Sequence, residues 1–463
     1  MTRLGESADR VARVLERDLA DGEVVAELLG ETEARRHLDL SDLTPAEQAR
    51  LVAGRAVDVL PSVEGLAEEI GKGRPLTVKF GIDPTAADVH LGHAVPMLVL
   101  SRFQRMGHRV VVLIGDVTAK IGDPSGRSNE RPPLTDADIA ANMATYRDQV
   151  APFFDFERAD FRHNSEWLTD IRLPELIEIL SQIPVSMSLQ RDDFRTRLAQ
   201  GQGLAMSEFV YSVVMAIDSA KLAADVELGG VDQLLNMQMG RKVMDVLGQR
   251  PQFVVSMPLV EGIDGSGKKM SKSLGNYISL TAPPDDTFGK VMSIPDRLVE
   301  PYLRAWTEWT DAEIAAVAAR VGQRTLHPMD LKRVLAGDVV AAIHGVKAAM
   351  AAREAFAAQF SRHAFSELDE LPEVLLAETG DQTVAQVLTE LLGFTPSLSA
   401  ARRLAKQNGL RVVVEVDGEQ ESVPLDEAAV IGLAKETLAK VLQSHRPDAA
   451  CYLKAGRKLA RIR

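Results

Sequence analysis

The chain has 463 residues, 46% hydrophobic and 26% charged, a composition that supports two to four globular domains with ample core. Its formal charge of −13 argues against a protein that coats nucleic acid indiscriminately, and its single cysteine, Cys451, excludes an internal disulfide and fits a reducing compartment. No apolar run approaches the ~20 residues of a membrane helix, and the start, Met1-Thr-Arg-Leu-Gly-Glu-Ser, lacks the apolar centre of a secretory signal. No membrane partner is therefore expected, and the cytoplasm is the expected location.

Residues 1–48 read as an acidic amphipathic helical extension, with Val11, Val14, Leu15, Leu19, Val24, Val25, Leu28 and Leu29 at helical or near-helical spacing. Nothing there suggests chemistry, so a packing or dimer-contact role is expected. Residues 49–280 alternate short β-rich runs, Leu76 to Phe80, Val110 to Ile114 and Phe253 to Met257, with helices. That alternation predicts an α/β fold, a doubly wound parallel sheet with its ligand at the strand C-terminal ends. A mostly helical stretch, about 134–204, is expected to insert between the two halves of the sheet.

The breaker Ala282-Pro-Pro-Asp-Asp opens a helical domain, 281–375, with helices expected over Asp311 to Val321 and Met329 to Phe360. A small α+β module, 376–463, follows. It begins with a helix, Val384 to Leu392, and continues with a second that carries Arg402, Arg403 and Lys406 and stops at Gly409, with Ser399 as candidate cap. A strand, Leu410 to Val416, then meets the hairpin signal Asp417-Gly418. From Ser397 onward there are 12 Lys/Arg against 8 Asp/Glu, so this end can present a basic surface to phosphates.

Two short segments carry the chemistry. His90-Leu91-Gly92-His93 follows the first strand through the turn Gly81-Ile82-Asp83-Pro84-Thr85 and opens a helix running to about Met106. Unpaired N–H groups and the dipole at a helix start favour a triphosphate, and Gly92 permits close approach. Far along the chain, Lys269-Met270-Ser271-Lys272-Ser273 lies in a Gly/Ser/Lys loop, 265–275, where two ammonium groups could close over the same phosphates. Either segment alone reads as readily as a surface feature; together and in this order they point to adenylate chemistry.

With both in hand the chain resembles the tyrosyl-tRNA synthetases, which are class I aminoacyl-tRNA synthetases with a Rossmann-type catalytic domain. The resemblance rests on Lys79-Phe-Gly-Ile-Asp-Pro-Thr85, the segment 90–93, Ile121-Gly-Asp-Pro-Ser-Gly126, Asn164-Ser-Glu-Trp-Leu168, Asp225-Val-Glu-Leu-Gly-Gly-Val-Asp-Gln233, and Lys269 to Asn276. It covers roughly residues 50–375 and is poor over 1–48. It implies ATP, with Mg²⁺ held chiefly by the phosphates because no protein cage of carboxylates is apparent. It also implies an amino-acid substrate, tRNA as acceptor, and a homodimer with contacts in the helical insertion. The helical domain would approach the anticodon. The C-terminal module would bind RNA through Arg402, Arg403 and Lys406 and close on Gly456-Arg-Lys-Leu-Ala-Arg461.

By the same resemblance His90, His93, Lys269 and Lys272 are catalytic, acting on the triphosphate and the leaving pyrophosphate. Asp83, Thr85, Gly92, Asp232, Met270 and Ser271 bind ATP, Asp232 at the ribose. The amino-acid pocket departs from the family pattern. Tyr211, Met215 and Asp218 fall on one helical face at i, i+4 and i+7, but relatives carry Gln where Met215 stands. Asp218 matches the residue that meets the phenol hydroxyl, and Asp123, Tyr211 and Gln233 remain for the amino end. Val231 replaces a hydroxyl-bearing residue, making the wall more apolar, and Lys79 is expected to matter little. Three readings stay open. They are a tyrosine–tRNA ligase, a paralogue that adenylates a tyrosine-like carboxylate and passes it to a non-tRNA acceptor, and a non-catalytic RNA-binding protein.

Overall fold

Continuous apolar runs make the centre of the main sheet. In β3 (Arg109–Ile114) every residue after the first is buried, and in β6 (Phe253–Met257) all are, as parallel strands covered on both faces require. With β1 (Asp58–Leu60), β2 (Thr77–Ile82), β4 (Ala159–His163) and β5 (Val226–Gly230) they form a six-stranded sheet in the order β1-β6-β5-β2-β3-β4. β1 runs antiparallel to β6, and the other neighbours are parallel. The direction of winding reverses between β2 and β5, and a doubly wound sheet leaves a crevice at such a switch point.

The structure is a computed structural model that describes residues 2–83, 89–123, 135–361, 371–406, 409–416, 419–443, 450–455 and 458–463. It divides into two compact units, 1–354 and 355–463.

Three features of the first unit differ from the sequence reading. The stretch 134–204 is not helical throughout, because Ala159–His163 becomes β4, paired in register with β3 from Val110↔Ala159 to Ile114↔His163. This edge strand alternates apolar and polar residues and is only half covered, so it offers no apolar run to detect. Residues 3–15, 22–36 and 45–53 form three helices, capped by Thr2, Asp21 and Thr44, in place of one amphipathic helix. The helix expected from Met329 to Phe360 is two, Pro328–His344 and Val346–Ser361, interrupted at Gly345, whose φ of +83° ends the first.

Buried charge locks the N-terminal helices in place. The Arg35 guanidinium, 1% exposed, donates to both carboxylate oxygens of Glu313 at 2.7 and 2.8 Å. Arg36 pairs with Asp338, which also accepts from the Trp309 indole at 3.0 Å. Glu308 accepts from Arg102 and Arg105, each at 3.1 Å, both on the helix Leu91–Arg105. The same helix begins at His90 and His93.

The second unit is built on a five-stranded sheet, β7 (Glu373–Val374), β8 (Leu410–Val416), β9 (Glu419–Pro424), β10 (Ala450–Ala455) and β11 (Lys458–Ile462), in the order β7-β11-β10-β8-β9. Its core includes Val384, Leu388, Ala401, Leu410, Val412, Leu453 and Ile462. The first helix is a short α-turn, Val384–Gln386, running into a π-turn, Val387–Leu391. The cap of the next helix, Leu398–Lys406, is Ser397 and not Ser399: the Ser397 hydroxyl accepts from the Ala400 N–H at 3.2 Å. Asp417, Gly418 and Gly456 lie outside the described residues.

Candidate active site

A cavity of about 490 Å³ opens at the C-terminal ends of β2, β3, β5 and β6, against the start of the Leu91–Arg105 helix and one face of the Met206–Leu222 helix. It gathers side chains scattered over nearly 200 positions. His90, Gly92, His93, Asp232, Lys269, Met270 and Ser271 line it together with Asp83, Asp123, Gln233, Tyr211, Met215 and Asp218. Lys272 is not among the lining residues, although its charge, like that of Lys269, bears on both histidines. Val231 does not line the cavity either, so its replacement of a hydroxyl does not make this wall more apolar. Thr85 lies outside the described residues.

Backbone bonds tie each of the two segments to the chain beside it. The Leu91 N–H donates to the Ile278 carbonyl at 2.8 Å, and the Met270 N–H to the Val260 carbonyl at 2.7 Å. Asn276, 2% exposed, accepts from the Ser271 N–H at 2.8 Å and so shapes the lysine loop from within. A Cβ on Gly92 would stand 3.0 Å from the His90 ring and 3.9 Å from the Met270 sulfur, so glycine there lets motif and loop come together. Lys269 Nζ lies 3.3 Å from the Asp232 carboxylate.

The histidine rings lie 4.0 Å apart. Burial, then the neighbouring His93, Lys272 and Lys269 charges, push His90 down to about 3, and burial first of all pushes His93 down to about 4. Both are neutral at pH 7. His93 Nδ1 accepts from the His90 backbone N–H at 3.2 Å, which leaves the proton on Nε2 as a donor. His90 Nδ1 is buried without a partner among the described residues. These rings suit an anion as neutral hydrogen-bond donors.

Deeper in, the amino-end candidates are already tied to one another. The Tyr211 hydroxyl donates to Asp83 at 2.8 Å, as does the Thr118 hydroxyl at 2.8 Å. A Cβ at Gly115 would overlap Asp83 and Thr118, so only glycine fits beside this pair. Gln233 donates to Asp123 at 2.7 Å and accepts from Asn236 at 2.8 Å, which fixes its amide. Burial raises Asp83 to about 6 against the two hydroxyl bonds that lower it. A cationic amino group would relieve that cost.

At the far end Asp218, 2% exposed, accepts from the Trp167 indole at 2.8 Å and from Asn164 at 3.3 Å. Burial raises it to about 6. Beside it are Lys79 and Glu227, 0% and 1% exposed, joined at 2.8 Å and both lining the cavity. Sequence reading passed over this pair and over Thr118, Asn164 and Trp167 as partners. A signal was available: a lysine and a glutamate each interrupt an apolar run that reads as a central strand, where a charge is tolerated only with a partner.

Arg402, Arg403 and Lys406 are all exposed on the Leu398–Lys406 helix, while Ala401 and Ala405 of the same helix are buried. They belong to the second unit and form a basic face of their own.

Comparison with known proteins bears on the same residues. The model of class I tRNA synthetases of the W and Y type matches residues 71–361. Tyrosine–tRNA ligase of Thermotoga maritima is 41% identical over 378 residues, 82% of this chain and 92% of that protein. The Haemophilus influenzae enzyme of the same name is 41% identical over 371 residues, 80% of this chain and 91% of its own length. Among solved structures, tyrosyl-tRNA synthetase from Archaeoglobus fulgidus, crystallised with L-tyrosine, shares the fold with a TM-score of 0.54 at 22% identity, covering 66% of this chain and all of that one. A C-terminally truncated mitochondrial tyrosyl-tRNA synthetase of Aspergillus nidulans gives 0.57 at 22%, covering 73% and 99%. With the doubly wound sheet and these matches over most of its length, this chain belongs to the tyrosyl-tRNA synthetase family of class I aminoacyl-tRNA ligases.

Proposed function

We propose that this enzyme uses ATP to activate tyrosine as tyrosyl adenylate and transfers the tyrosyl group to tRNA. The observation that carries the reading is one cavity lined by His90, His93, Lys269, Met270 and Ser271 and by the buried Tyr211 and Asp218. Identity of about 40% with proteins named tyrosine–tRNA ligase, over most of their length, supports it. No observation favours the non-tRNA acceptor, and that alternative is set aside.

In the reading, the substrate carboxylate attacks the α-phosphorus and pyrophosphate departs with the bridging oxygen. No covalent nucleophile is needed, and catalysis is positioning plus stabilisation of charge on phosphoryl oxygens. His90 and His93 donate to those oxygens as neutral rings. Lys269 and Lys272 follow the charge onto the leaving pyrophosphate. Asp232 accepts from the ribose, with Gly92, Met270 and Ser271 forming the nucleotide wall, and Thr85 is assigned there by resemblance. Asp123, Tyr211 and Gln233 surround the amino group, Asp83, bonded to Tyr211, stands where the amino acid meets the nucleotide, and Asp218 accepts the phenol hydroxyl. Among the described residues no cluster of three or more His, Cys, Asp or Glu could hold a metal, so Mg²⁺ would come held by the phosphates of ATP.

We further propose a cytoplasmic homodimer. Leu173, Ile177, Val185 and Met206, in and beside the helical insertion, are 70%, 54%, 64% and 76% exposed, a cost that a second copy would remove. Arg402, Arg403 and Lys406 would meet tRNA phosphates, the helices of 281–375 would approach the anticodon, and residues 1–48 serve packing. The test is ATP/pyrophosphate exchange with a panel of aromatic amino acids and their deaminated analogues, followed by charging of total tRNA. Tyrosine-dependent exchange with charging is expected; exchange without charging, or none with tyrosine, would overturn the reading.

A further inference from the structure

Lys79 and Glu227 are register partners on β2 and β5, the two strands between which the sheet reverses. Lys79 Nζ donates to Glu227 at 2.8 Å, to the Ser219 hydroxyl at 3.0 Å and to the Met215 carbonyl at 3.5 Å. Ser219 and Gln252 in turn donate to the second Glu227 oxygen. The ammonium is thereby held against the turn of the Met206–Leu222 helix that carries Asp218. An ion pair buried in an apolar sheet adds little net stability over a hydrophobic pair of the same volume, so stability alone does not account for it. Both residues line the substrate cavity.

We propose that Lys79 is a positioning residue: clamped by Glu227 and Ser219, it keeps Asp218 in the carboxylate form that accepts the hydroxyl at the far end of a tyrosine side chain. The pair then sets discrimination against phenylalanine, and this rests on the reading of Asp218 as the group that meets the phenol.

The groups facing Asp218 are few. Lys79 comes from β2 and Glu227 from β5, Trp167 and Asn164 donate from the segment after β4, and Tyr211 stands on the same helix. Asp123 and Asp83, whose own carboxyl the Asp218 charge raises, line the same cavity, and the helix Leu234–Val246 contributes Met239 and Val243 to the shared core. Burial raises Asp218 to about 6, Lys79 is the strongest influence pulling it back, and Glu227 acts in the raising direction. At pH 7 the carboxylate is ionised, and losing the ammonium moves its titration towards or past neutrality.

The experiment measures kcat/KM for tyrosine and for phenylalanine by pyrophosphate exchange as a function of pH, in wild type, Lys79→Met and Lys79→Met/Glu227→Gln. The ratio of the two substrates cancels groups common to both, Asp83 included. In wild type the ratio should rise through about 6, following Asp218. In Lys79→Met the rise should move up by about one pH unit, a loss of about tenfold in the ratio at pH below it, with recovery at alkaline pH; in the double variant, which also lacks the raising charge of Glu227, it should move up by less. An unmoved rise, or a ratio lost equally at every pH, overturns the proposal, since a merely structural role would not recover with base. Ser219→Ala removes one acceptor of the ammonium but neither charge. It should give the same shift in smaller measure, and an unmoved rise there overturns the proposal even where the charge variants do not fold. Asp218→Asn separates the two readings. If it leaves the tyrosine preference intact, the assignment of Asp218 to the phenol fails. If it abolishes the preference while the Lys79 variants titrate as wild type, only the present inference fails.

Discussion

Two of the places where the molecule buries charge treat it oppositely. Around Glu308 the charges are matched to excess: Arg102, Arg105, Arg36 and Arg55 overcome burial and pull its carboxyl down to about 2. In the substrate cavity burial wins, and Asp83 and Asp218 are both raised to about 6. A cluster that only holds helices together supplies its counter-charge from within the fold, even though the Nε atoms of Arg36, Arg55, Arg102 and Arg105 are buried without a hydrogen-bond partner among the described residues. A site leaves pairing incomplete, because the ligand is to supply the missing hydrogen bond or charge.

Breaking the matched cluster should cost most. Glu308→Gln leaves Arg102 and Arg105 uncompensated in the interior and should destabilise the first unit by about 3–5 kcal/mol in urea unfolding. A loss below about 1 kcal/mol would show that this cluster, too, is only loosely satisfied.

The phosphate end comes next. Lys269→Ala or Lys272→Ala should slow adenylate formation about 10²–10³-fold, the loss typical of one preorganised charge stabiliser. Tyrosine affinity by calorimetry should stay near wild type, because the interaction belongs to the transition state. Unchanged exchange kinetics would remove these lysines from the chemistry.

At the amino end, Met215 presents a thioether where the family resemblance implies an amide oxygen, and a thioether is a weak acceptor. One hydrogen bond to a charged group is worth about 1.5–3 kcal/mol, so Met215→Gln should improve tyrosine binding about tenfold to a hundredfold. A tight Michaelis constant in wild type with no gain in the variant would mean that Asp123, Tyr211 and Gln233 already suffice.

The two regions should also respond to pH with opposite sign. Asp83 and Asp218 bind a proton more tightly in the fold than their ordinary 3.8, so their contribution is fully present below 3.8 and is lost as pH rises through about 6. Glu308 lies at about 2 against an ordinary 4.5, so its contribution is present above 4.5 and is lost as pH falls towards 2. Thermal melts against pH should therefore flatten between 3.8 and 6 in Asp218→Asn and below 4.5 in Glu308→Gln. Identical pH profiles in the two variants would erase the distinction.

The smallest effect is expected on the basic face of the second unit. Neutralising Arg402, Arg403 and Lys406 should lower the salt dependence of tRNA binding by about 0.7–0.9 for each phosphate no longer neutralised and leave adenylation untouched. Filter binding at two salt concentrations measures it, and an unchanged slope would place the tRNA phosphates elsewhere.

Much of this was legible without coordinates. The runs Val110–Ile114 and Phe253–Met257 are strands because a sheet covered on both faces selects continuous apolar sequence. The helix from Leu91 to Arg105 was readable from its turn-rich approach and its periodicity. Less was legible where local pattern is weak: β1 is three residues long, and β4 alternates on a sheet edge. Ser397 in place of Ser399 as the cap is a choice between two neighbours of equal propensity, settled by which hydroxyl reaches the Ala400 N–H.

The sequence by itself determined the family, the two segments at 90–93 and 269–273 and the helical face that unites Tyr211, Met215 and Asp218, since each is a matter of residue identity and short-range spacing. Tertiary structure decided the rest. That Lys79 faces Glu227 follows from β2 lying beside β5, a pairing 148 positions apart that no local pattern encodes. That His90 and His93 are neutral, that Asp83 and Asp218 are raised, and that Glu308 is lowered all follow from which charges long-range packing brings near and how much water it removes. Electrostatic energy depends on distance and dielectric, and in this chain both are set by packing between distant segments.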